Sequence, residues 1–323
     1  MSIIRSPKIL LVGAGGMAKE YAKVLKVLEP RFLVIGRGKA SAGVFEKDTG
    51  IPVVVGGLKT WLKNNSGKAP LIAIVATNEE ELGPSVRLLV QHGIKRILVE
   101  KPGGMNLSDL IKTEKVALKT GAEIFVAYNR RFYASTRKVQ EMIKEDGGVL
   151  SFDFEFTEWS HKIANLKKPR LVKNNWFLAN SSHVIDLAFF LCGKPKKIKC
   201  FATGGLDWHP KASIYSGAGV SENGALFSYH ANWESAGRWG VEILTSKRKL
   251  ILRPLETLFV QNRGSIETKQ VFLNDKMDTD FKPGLYIQVK TFLGSKIGLP
   301  TIQEQVRNTK YYNLMNKSTD NTN

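Results

Sequence analysis

The chain has 323 residues, of which 43% are hydrophobic and 24% are charged, an ordinary globular composition with room for two domains. Its net charge of +19 indicates an anionic partner such as a dinucleotide, a sugar nucleotide or nucleic acid. The lysines are scattered and no DNA-binding motif occurs, so we expect no nucleic acid. No apolar run is long enough to span a membrane and the first residues have no signal-peptide pattern, so we expect a cytoplasmic protein with no membrane partner. Cys192 and Cys200 lack metal-site spacing, so no metal is expected.

The first apolar run, Lys8–Val12, is followed directly by Gly13-Ala14-Gly15-Gly16-Met17-Ala18 and then by a helical apolar pattern. This G-x-G-x-x-A sequence stands between a strand and a helix, which is the context of a dinucleotide-binding loop. Gly13 allows the tight turn, and Gly15 lets the backbone approach a pyrophosphate at the helix N-terminus. We therefore predict that Gly13, Gly15, Gly16 and Met17 bind the cofactor.

The second strand, Phe32–Ile35, ends at Gly36-Arg37-Gly38-Lys39-Ala40-Ser41. NAD-binding domains usually carry an acid here for the ribose 2′-hydroxyl, whereas this chain has no acid before Glu46. Arg37, Lys39 and Ser41 offer a guanidinium, an ammonium and a hydroxyl, which suit a 2′-phosphate. The stretch predicts NADP(H) in preference to NAD(H); the alternative interpretation is a basic surface loop.

Strands and helices alternate as far as Ala127, and the strands are almost wholly apolar, which is typical of a doubly wound parallel sheet. One strand, Leu71–Ala76, ends at Thr77-Asn78, and the helix beginning near Ser108 has that serine as its predicted N-cap. Another strand ends at Glu100-Lys101-Pro102. Because proline cannot continue a central strand, Glu100 and Lys101 should lie at the carboxyl end of the sheet, where ligands bind.

The pattern changes after residue 148. Leu150–Thr157 alternates between apolar and polar residues, a basic loop Ser160–Asn175 follows, and an apolar helix Ser181–Leu191 leads into a series of short strands. Serial strands joined by short turns predict a mainly antiparallel open sheet in an α+β domain. We therefore predict a Rossmann domain over residues 1–127 and a substrate-binding and oligomerisation domain over residues 128–323.

The aromatic alternation of Phe227, Tyr229 and Trp233 in that second sheet predicts a face buried against another subunit, and hence a homodimer or homotetramer.

Taken together, the chain resembles the Gfo/Idh/MocA oxidoreductase family over nearly its whole length. The resemblance rests on the glycine loop and on five further motifs: Ala76-Thr77-Asn78, Val99-Glu100-Lys101-Pro102, Tyr128-Asn129-Arg130-Arg131-Phe132, Ser182-His183-Val184-Ile185-Asp186-Leu187 and Pro300-Thr301.

The resemblance implies catalytic roles for Lys101, which would reach the reacting oxygen of the substrate, and for His183, which would exchange a proton with it. It places Glu100 and Thr77 near the nicotinamide ribose, with Asn78 beside them. It also implies that the substrate site is lined by three residues of one motif: Tyr128, Asn129 and Arg130. From their place at the start of the basic loop, Trp159 and His161 are further candidate substrate contacts.

One departure stands out: the family commonly has an Asp four residues before the histidine, and here that position is Ala179. Asn180 or Asp186 could take over its orienting role. The sequence favours an NADP(H)-dependent oxidoreductase that interconverts an alcohol and a ketone on a sugar or nucleotide-linked sugar, in surface-carbohydrate biosynthesis. The alternatives are a catabolic polyol or inositol dehydrogenase and an inactive cofactor-binding sensor or scaffold.

Overall fold

The computed structural model of the chain describes residues 7–65, 67 and 69–317, which form two compact units. The first unit runs to Tyr128 and includes Asp280–Arg307, and the second holds Asn129–Thr279 and continues from Asn308. The change of unit falls after Tyr128, and a later segment, Asp280–Arg307, returns to the first unit. It does so because helix Leu285–Leu293 packs on helix Gly16–Leu28, and the Val126 amide donates to the Pro300 carbonyl at 2.9 Å.

The first unit contains a six-stranded sheet in which every pair is parallel, in the order β3-β2-β1-β4-β5-β6. Its strands are β1 Ile9–Val12, β2 Phe32–Ile35, β3 Val53–Val54, β4 Ile72–Val75, β5 Arg96–Glu100 and β6 Glu123–Ala127. This is the doubly wound order predicted from the sequence, and it reverses direction between β1 and β4. The carboxyl ends of these two central strands therefore flank the crevice in which nucleotides bind in such sheets.

The helices of the first unit follow the predicted alternation, with two differences. They are α1 Gly16–Leu28, α2 Lys39–Thr49, α3 Gly57–Asn64, α4 Glu79–Gln91 and α5 Leu107–Thr120. The stretch predicted as a loop at Lys39 and Ser41 is the first turn of α2. The N-cap of α5 is Asn106 rather than Ser108, because the Asn106 side chain accepts a hydrogen bond from the Asp109 amide at 3.0 Å.

The second unit contains an eight-stranded sheet in the order β14-β13-β12-β11-β7-β10-β9-β8. All neighbours are antiparallel except β7 and β10, so the predicted mainly antiparallel sheet is confirmed. The strands are β7 Ser151–Glu155, β8 Pro195–Thr203, β9 Ile214–Ser221, β10 Leu226–Asn232, β11 Gly240–Leu244, β12 Arg248–Leu252, β13 Phe259–Asn262 and β14 Thr268–Gln270.

Helix α9, Ser182–Cys192, covers one face of this second sheet, and α6, Ala134–Glu145, packs on α9. The remaining helices of the chain are α7 Ser160–Ala164, α8 Arg170–Asn174, α10 Lys276–Asp280, α11 Leu285–Leu293 and α12 Ile302–Met315. The basic segment predicted as a loop therefore contains the two short helices α7 and α8. The sequence predicts a frayed tail over Lys317–Asn323, and its part beyond Lys317 lies outside the described residues.

The aromatic face of the second sheet was predicted to meet another subunit, and that prediction is wrong. Phe227, Tyr229 and Trp233 are each less than 5% exposed within the single chain, in a core shared with α9. The ring of Phe227 lies 5.4 Å from that of Phe189 on this helix. Because side chains alternate along a strand, the opposite face of the sheet is the open one.

Among residues 7–65, 67 and 69–317, no helix has the length and apolar character needed to cross a membrane. The same described residues contain no group of three or more His, Cys, Asp or Glu side chains that could hold a metal ion.

Candidate active site

The glycine loop turns tightly from β1 into α1. Gly13 has φ +122°, and a Cβ atom there would lie 2.3 Å from the Ala76 carbonyl oxygen, so only glycine fits this close approach to the end of β4. A Cβ on Gly15 or Gly16 would meet no atom within 4 Å. Open space therefore lies before the N-terminus of α1, where Met17 is half-buried and no acid occupies the first turn. These features fit a dinucleotide phosphate at a helix N-terminus.

The loop after β2 carries the residues predicted to recognise a 2′-phosphate. The Arg37 side chain is 77% exposed, and its Nη1 lies 3.4 Å from Oε1 of Glu81. Lys39 is exposed, and the Ser41 hydroxyl donates to the Gly38 carbonyl at 3.1 Å. An exposed ion pair such as Arg37–Glu81 contributes little to stability, so this guanidinium is free to exchange one anionic partner for another.

Thr77 and Asn78 directly follow β4, at the same edge of the sheet as the glycine loop. The Thr77 hydroxyl contacts the Asn78 carbonyl at 3.4 Å, and that carbonyl also accepts from the Glu81 amide at 3.0 Å as α4 begins. Because β1 and β4 are adjacent strands, both residues lie beside Gly13.

Glu100 ends β5 as a buried carboxylate. Its Oε1 accepts a hydrogen bond from the Tyr21 hydroxyl at 2.6 Å. Burial raises the pKa of Glu100 above its usual range, although the Tyr21 hydrogen bond and the charges of Lys101 and Lys282 oppose the rise. The buried Tyr21 also has a strongly raised pKa, first through burial and then through Glu100. Tyr21 lies on the buried face of α1, and no motif in the sequence links it to Glu100.

The loop that carries Lys101 is held from beneath by Gln305. The Gln305 amide nitrogen donates to the Pro102 carbonyl at 3.0 Å and to the Tyr128 hydroxyl at 2.9 Å. The Gly103 amide donates to the Glu100 carbonyl at 2.9 Å, which closes the turn. Lys101 is half-buried, whereas Tyr128 is wholly buried. Within this unit Tyr128 thus supports the loop, and its predicted contact with substrate stays a prediction.

In the second unit, His183 lies in the first turn of α9 and is 5% exposed. Five residues of π-helix, Phe177–Ser181, precede it, and such irregular turns are frequent at functional sites. The His183 ring centroid lies 6.0 Å from that of Trp239. Ala179, at the position of the missing aspartate, is buried in the π-helical turn.

A buried carboxylate, Glu158, holds this turn from the end of β7. It accepts hydrogen bonds from the Asn180 amide at 3.0 Å and from the Ser181 hydroxyl at 2.8 Å. Burial raises the pKa of Glu158, and these donors oppose the rise. Of the two residues predicted to replace the missing aspartate, Asn180 is bound to Glu158, while both oxygens of Asp186 accept from Arg131 at 2.6 and 2.7 Å.

Cations and indole rings alternate beside His183. The Arg130 guanidinium carbon lies 4.7 Å from the Trp239 ring centroid, and that of Arg238 lies 4.5 Å from the same ring and 4.7 Å from Trp159. Lys162 Nζ lies 4.3 Å from the Trp159 ring. We call these five residues the cation–indole cluster. Its members are Arg130, Trp159, Lys162, Arg238 and Trp239.

The cluster contains two of the predicted substrate contacts, Trp159 and Arg130. Trp159 is 41% exposed and is fixed by a hydrogen bond from its Nε1 to the Gly237 carbonyl at 3.0 Å. His161 is exposed on α7, and its neighbour Lys162 is the residue that lies over the indole. Asn129 is buried at the start of a 3-10 turn.

Comparison with known protein families identifies relatives of the first unit. Residues 7–128 match the Gfo/Idh/MocA sequence family, described as an oxidoreductase family with an NAD-binding Rossmann fold. They form a Gfo/Idh/MocA NAD-binding domain. The predicted resemblance and the predicted class, an NAD(P)-dependent oxidoreductase, are thereby confirmed. No curated protein sequence matches the chain.

Solved structures of several oxidoreductases share the fold over nearly the whole chain. A levoglucosan dehydrogenase in complex with NADH and L-sorbose matches with a TM-score of 0.76 at 16% identity, covering 96% of this chain and 95% of that one. A UDP-N-acetylglucosamine 3-dehydrogenase from Acidithiobacillus ferrooxidans matches with a TM-score of 0.72 at 13% identity, covering 95% and 96%. An oxidoreductase from Agrobacterium radiobacter in complex with NAD+, L-tartaric acid and magnesium matches at 0.75 and 13%, covering 96% and 95%.

Several residues around the Gfo/Idh/MocA motifs escaped the sequence analysis, namely Glu158, Arg238, Trp239 and Gln305. Glu158 stands beside the singled-out Trp159, but nothing in a single sequence shows that its carboxylate turns inward. Arg238 and Trp239 lie about 80 residues from Trp159 along the chain and form no motif with it. Only pairing of β7 with β11 brings the two segments together.

Proposed function

We propose that this protein is an NADP(H)-dependent oxidoreductase that interconverts a secondary alcohol and a ketone on a sugar or nucleotide-linked sugar. The observation that carries the proposal is the end of β5, where Glu100 and Lys101 follow the glycine loop at the ligand-binding edge of a Gfo/Idh/MocA domain. Sugar or nucleotide-sugar dehydrogenases among the structural neighbours support the choice of substrate class.

The cofactor is held by the first unit in this proposal. The turn at Gly13 and the open helix N-terminus at Gly15 and Gly16 would hold its pyrophosphate, and Arg37 would hold a 2′-phosphate. When bound, the nicotinamide cofactor accepts or supplies the hydride. Glu100 stays buried against Tyr21 and fixes the start of the loop that presents Lys101.

Oxidation of an alcohol carbon requires its hydroxyl to lose a proton as the hydride leaves. His183 is the proposed proton acceptor, because an imidazole titrates near neutral pH. Lys101 is proposed to stabilise the negative charge that develops on the same oxygen, since a positioned ammonium acts most strongly where charge appears in the transition state. Glu158 holds the turn before His183 through Asn180 and Ser181. We propose that it orients His183 in place of the aspartate that the family commonly has at the position of Ala179.

The experiment is a panel of sugars and nucleotide sugars assayed by NADPH absorbance, with single variants measured on any substrate that turns over. We expect Lys101→Ala to lower kcat far more than it weakens cofactor binding, and His183→Ala to lower kcat by about 10²–10⁴-fold. Arg96→Ala serves as the control, because it removes an equal charge at the amino end of β5, the strand that leads to Lys101. If both active-site variants retain near-normal rates, the assignment of these residues is wrong.

A catalytically inactive sensor or scaffold is the second candidate, and Ala179 at the aspartate position is the observation that favours it. Tight NADPH binding with no turnover of any substrate in the panel would support that alternative.

A further inference from the structure

We propose that the cation–indole cluster is an anion-binding subsite, which recognises a carboxylate or phosphate group on the substrate beside the reacting carbon. This inference rests on the proposed function for the word substrate, but its structural basis lies wholly within the second unit.

The cluster is built around two rings. Trp239 is 5% exposed, the guanidinium carbons of Arg130 and Arg238 lie 4.7 and 4.5 Å from its ring centroid, and the His183 ring centroid lies 6.0 Å from it. Arg238 then extends the stack to Trp159, whose indole is 41% exposed. The arrangement therefore leads from a solvent-accessible ring to the proposed proton acceptor. A guanidinium stacked on a ring keeps its N–H edge available for planar acceptors.

Two buried donors in the cluster have no acceptor. Arg130 Nε and Trp239 Nε1 are both shielded from solvent, and neither forms a hydrogen bond with any residue in the described part of the chain. Buried N–H groups are rarely left unsatisfied in folded proteins, because a buried donor without an acceptor destabilises the folded state. Both groups can only donate, so a ligand that satisfies them must bring acceptor oxygens.

The charges around the rings favour the same ligand. Three cations, Arg130, Arg238 and Lys162, lie against the two indoles. Glu158, whose oxygens also accept from Asn180 and Ser181, lies 3.7 Å from Arg238 and offsets part of this positive charge.

Burial and neighbouring charges also shift the pKa of Arg130. Burial lowers the pKa of Arg130; Tyr133, Glu256 and Glu158 oppose this effect, and repulsion from Arg238 adds to it. An anion bound beside the two guanidinium groups would relieve that repulsion.

A carboxylate and a phosphate offer the same chemistry to such a site, namely two or more anionic oxygens for charge-assisted hydrogen bonds. A sugar acid would bring the carboxylate, and a nucleotide-linked sugar would bring a diphosphate. Because Arg130 and His183 contact the same indole, the recognised anion is placed close to the carbon that is oxidised or reduced.

The test is calorimetric titration of the full-length protein with anionic probes and their neutral counterparts. D-glucuronate is compared with its neutral isostere D-glucuronamide, and UDP-glucose with the neutral counterparts of its two ends, methyl glucoside and uridine. We expect at least one anionic probe to bind ten- to a hundredfold more tightly than its neutral counterparts. Arg238→Gln should remove most of that difference, and Arg130→Lys should reduce it, since lysine keeps the charge but lacks the planar fork.

Arg263→Gln is the matched control, because it removes one exposed charge from the same unit outside the cluster, and it should bind as the wild type does. Thermal melting establishes that each variant is folded, and the exposed Arg238 side chain tolerates substitution. A preference confined to glucuronate identifies the carboxylate as the recognised anion, and one confined to UDP-glucose identifies the diphosphate.

Equal binding of each anionic probe and its neutral counterparts overturns the inference, as does an anion preference that survives both arginine substitutions. Anion binding that depends on Arg238 in a protein that turns over no sugar supports the subsite and contradicts the proposed function. Turnover of neutral and anionic sugars with equal efficiency supports the proposed function and contradicts the subsite.

Discussion

His209 is a buried histidine in the second unit, and its environment accepts only the neutral form. Its ring lies 4.8 Å from that of Trp233, and its Nδ1 contacts the Ala212 carbonyl at 2.9 Å, which makes Nδ1 the protonated nitrogen. Its Nε2 has no hydrogen-bond partner among the described residues, so a second proton there would be buried without an acceptor. Burial accordingly lowers the pKa of His209 to about 4.

This lowered pKa predicts a loss of stability in mild acid. As the pH falls below about 6.5, His209 becomes protonated in the unfolded chain, whereas in the folded chain it becomes protonated only near pH 4. The free energy of unfolding should therefore fall by up to about 3 kcal/mol over this interval. Urea melts at pH 7, 5.5 and 4.5 measure the slope, which His209→Asn should flatten and the exposed His92→Asn should leave unchanged. An unchanged slope in His209→Asn would refute the assignment.

Arg37 is the residue on which the predicted cofactor preference depends. If its guanidinium exchanges Glu81 for a 2′-phosphate, NADP(H) should bind more tightly than NAD(H), and Arg37→Ala should weaken NADP(H) binding about ten- to a hundredfold. NAD(H) binding should change little. Calorimetric titration of both cofactors, with Arg96→Ala as the control of equal charge, provides the measurement. Equal affinities in the wild type would contradict the prediction.

At the residue scale, the sequence predicted what local chemistry determines. The glycine loop and Glu100-Lys101-Pro102 could be located because a turn or a strand end requires those residue types in that order. Glu158, Arg238 and Gln305 could not, because their partners are separated from them by 22 residues or more and the contacts depend on strand pairing and on the return of the chain.

At the scale of elements, the beginning of α5 can be tested directly. Asn106 caps the helix through its side chain, whereas the exposed Ser108 lies within the first turn. Asn106→Ala should lower the free energy of unfolding by about 0.5–2 kcal/mol, because the Asp109 amide loses its acceptor. Ser108→Ala should change it by less than about 0.5 kcal/mol. Urea denaturation of the two variants decides between the caps, and the reverse order of effects would restore Ser108 as the cap.

Elements with strong apolar patterns were predicted closely, and weakly patterned ones were not. The predicted bounds of β2, Phe32–Ile35, agree with the structure, because a glycine directly follows its last residue. Helix α2 was missed since only Ala42 and Phe45 along its eleven residues are buried, which gives a faint helical periodicity. The π-helical turn before His183 was not predicted, because no sequence pattern marks it.

At the scale of the whole molecule, the second sheet leaves one face open. This face carries exposed apolar side chains, including Phe201 and Leu226, each 62% exposed. Leu226 and Leu244 both pair with Ser151, on either side of β7, so the two leucines lie in one row across the sheet. The aromatic side chains first predicted to form an interface lie on the other face, in the core.

We therefore expect the open face, rather than the aromatic one, to mediate self-association into a homodimer or homotetramer. A two-fold axis pairs identical patches, and pairing removes the exposed leucines from water. Leu226→Lys should weaken association at least about tenfold, because the lysine charge would have to be buried. Ile266→Lys makes the same kind of change at a 97% exposed apolar residue outside the strands and should leave association intact. Light scattering across a dilution series measures both variants, and a wild-type monomer at micromolar concentration would contradict the prediction.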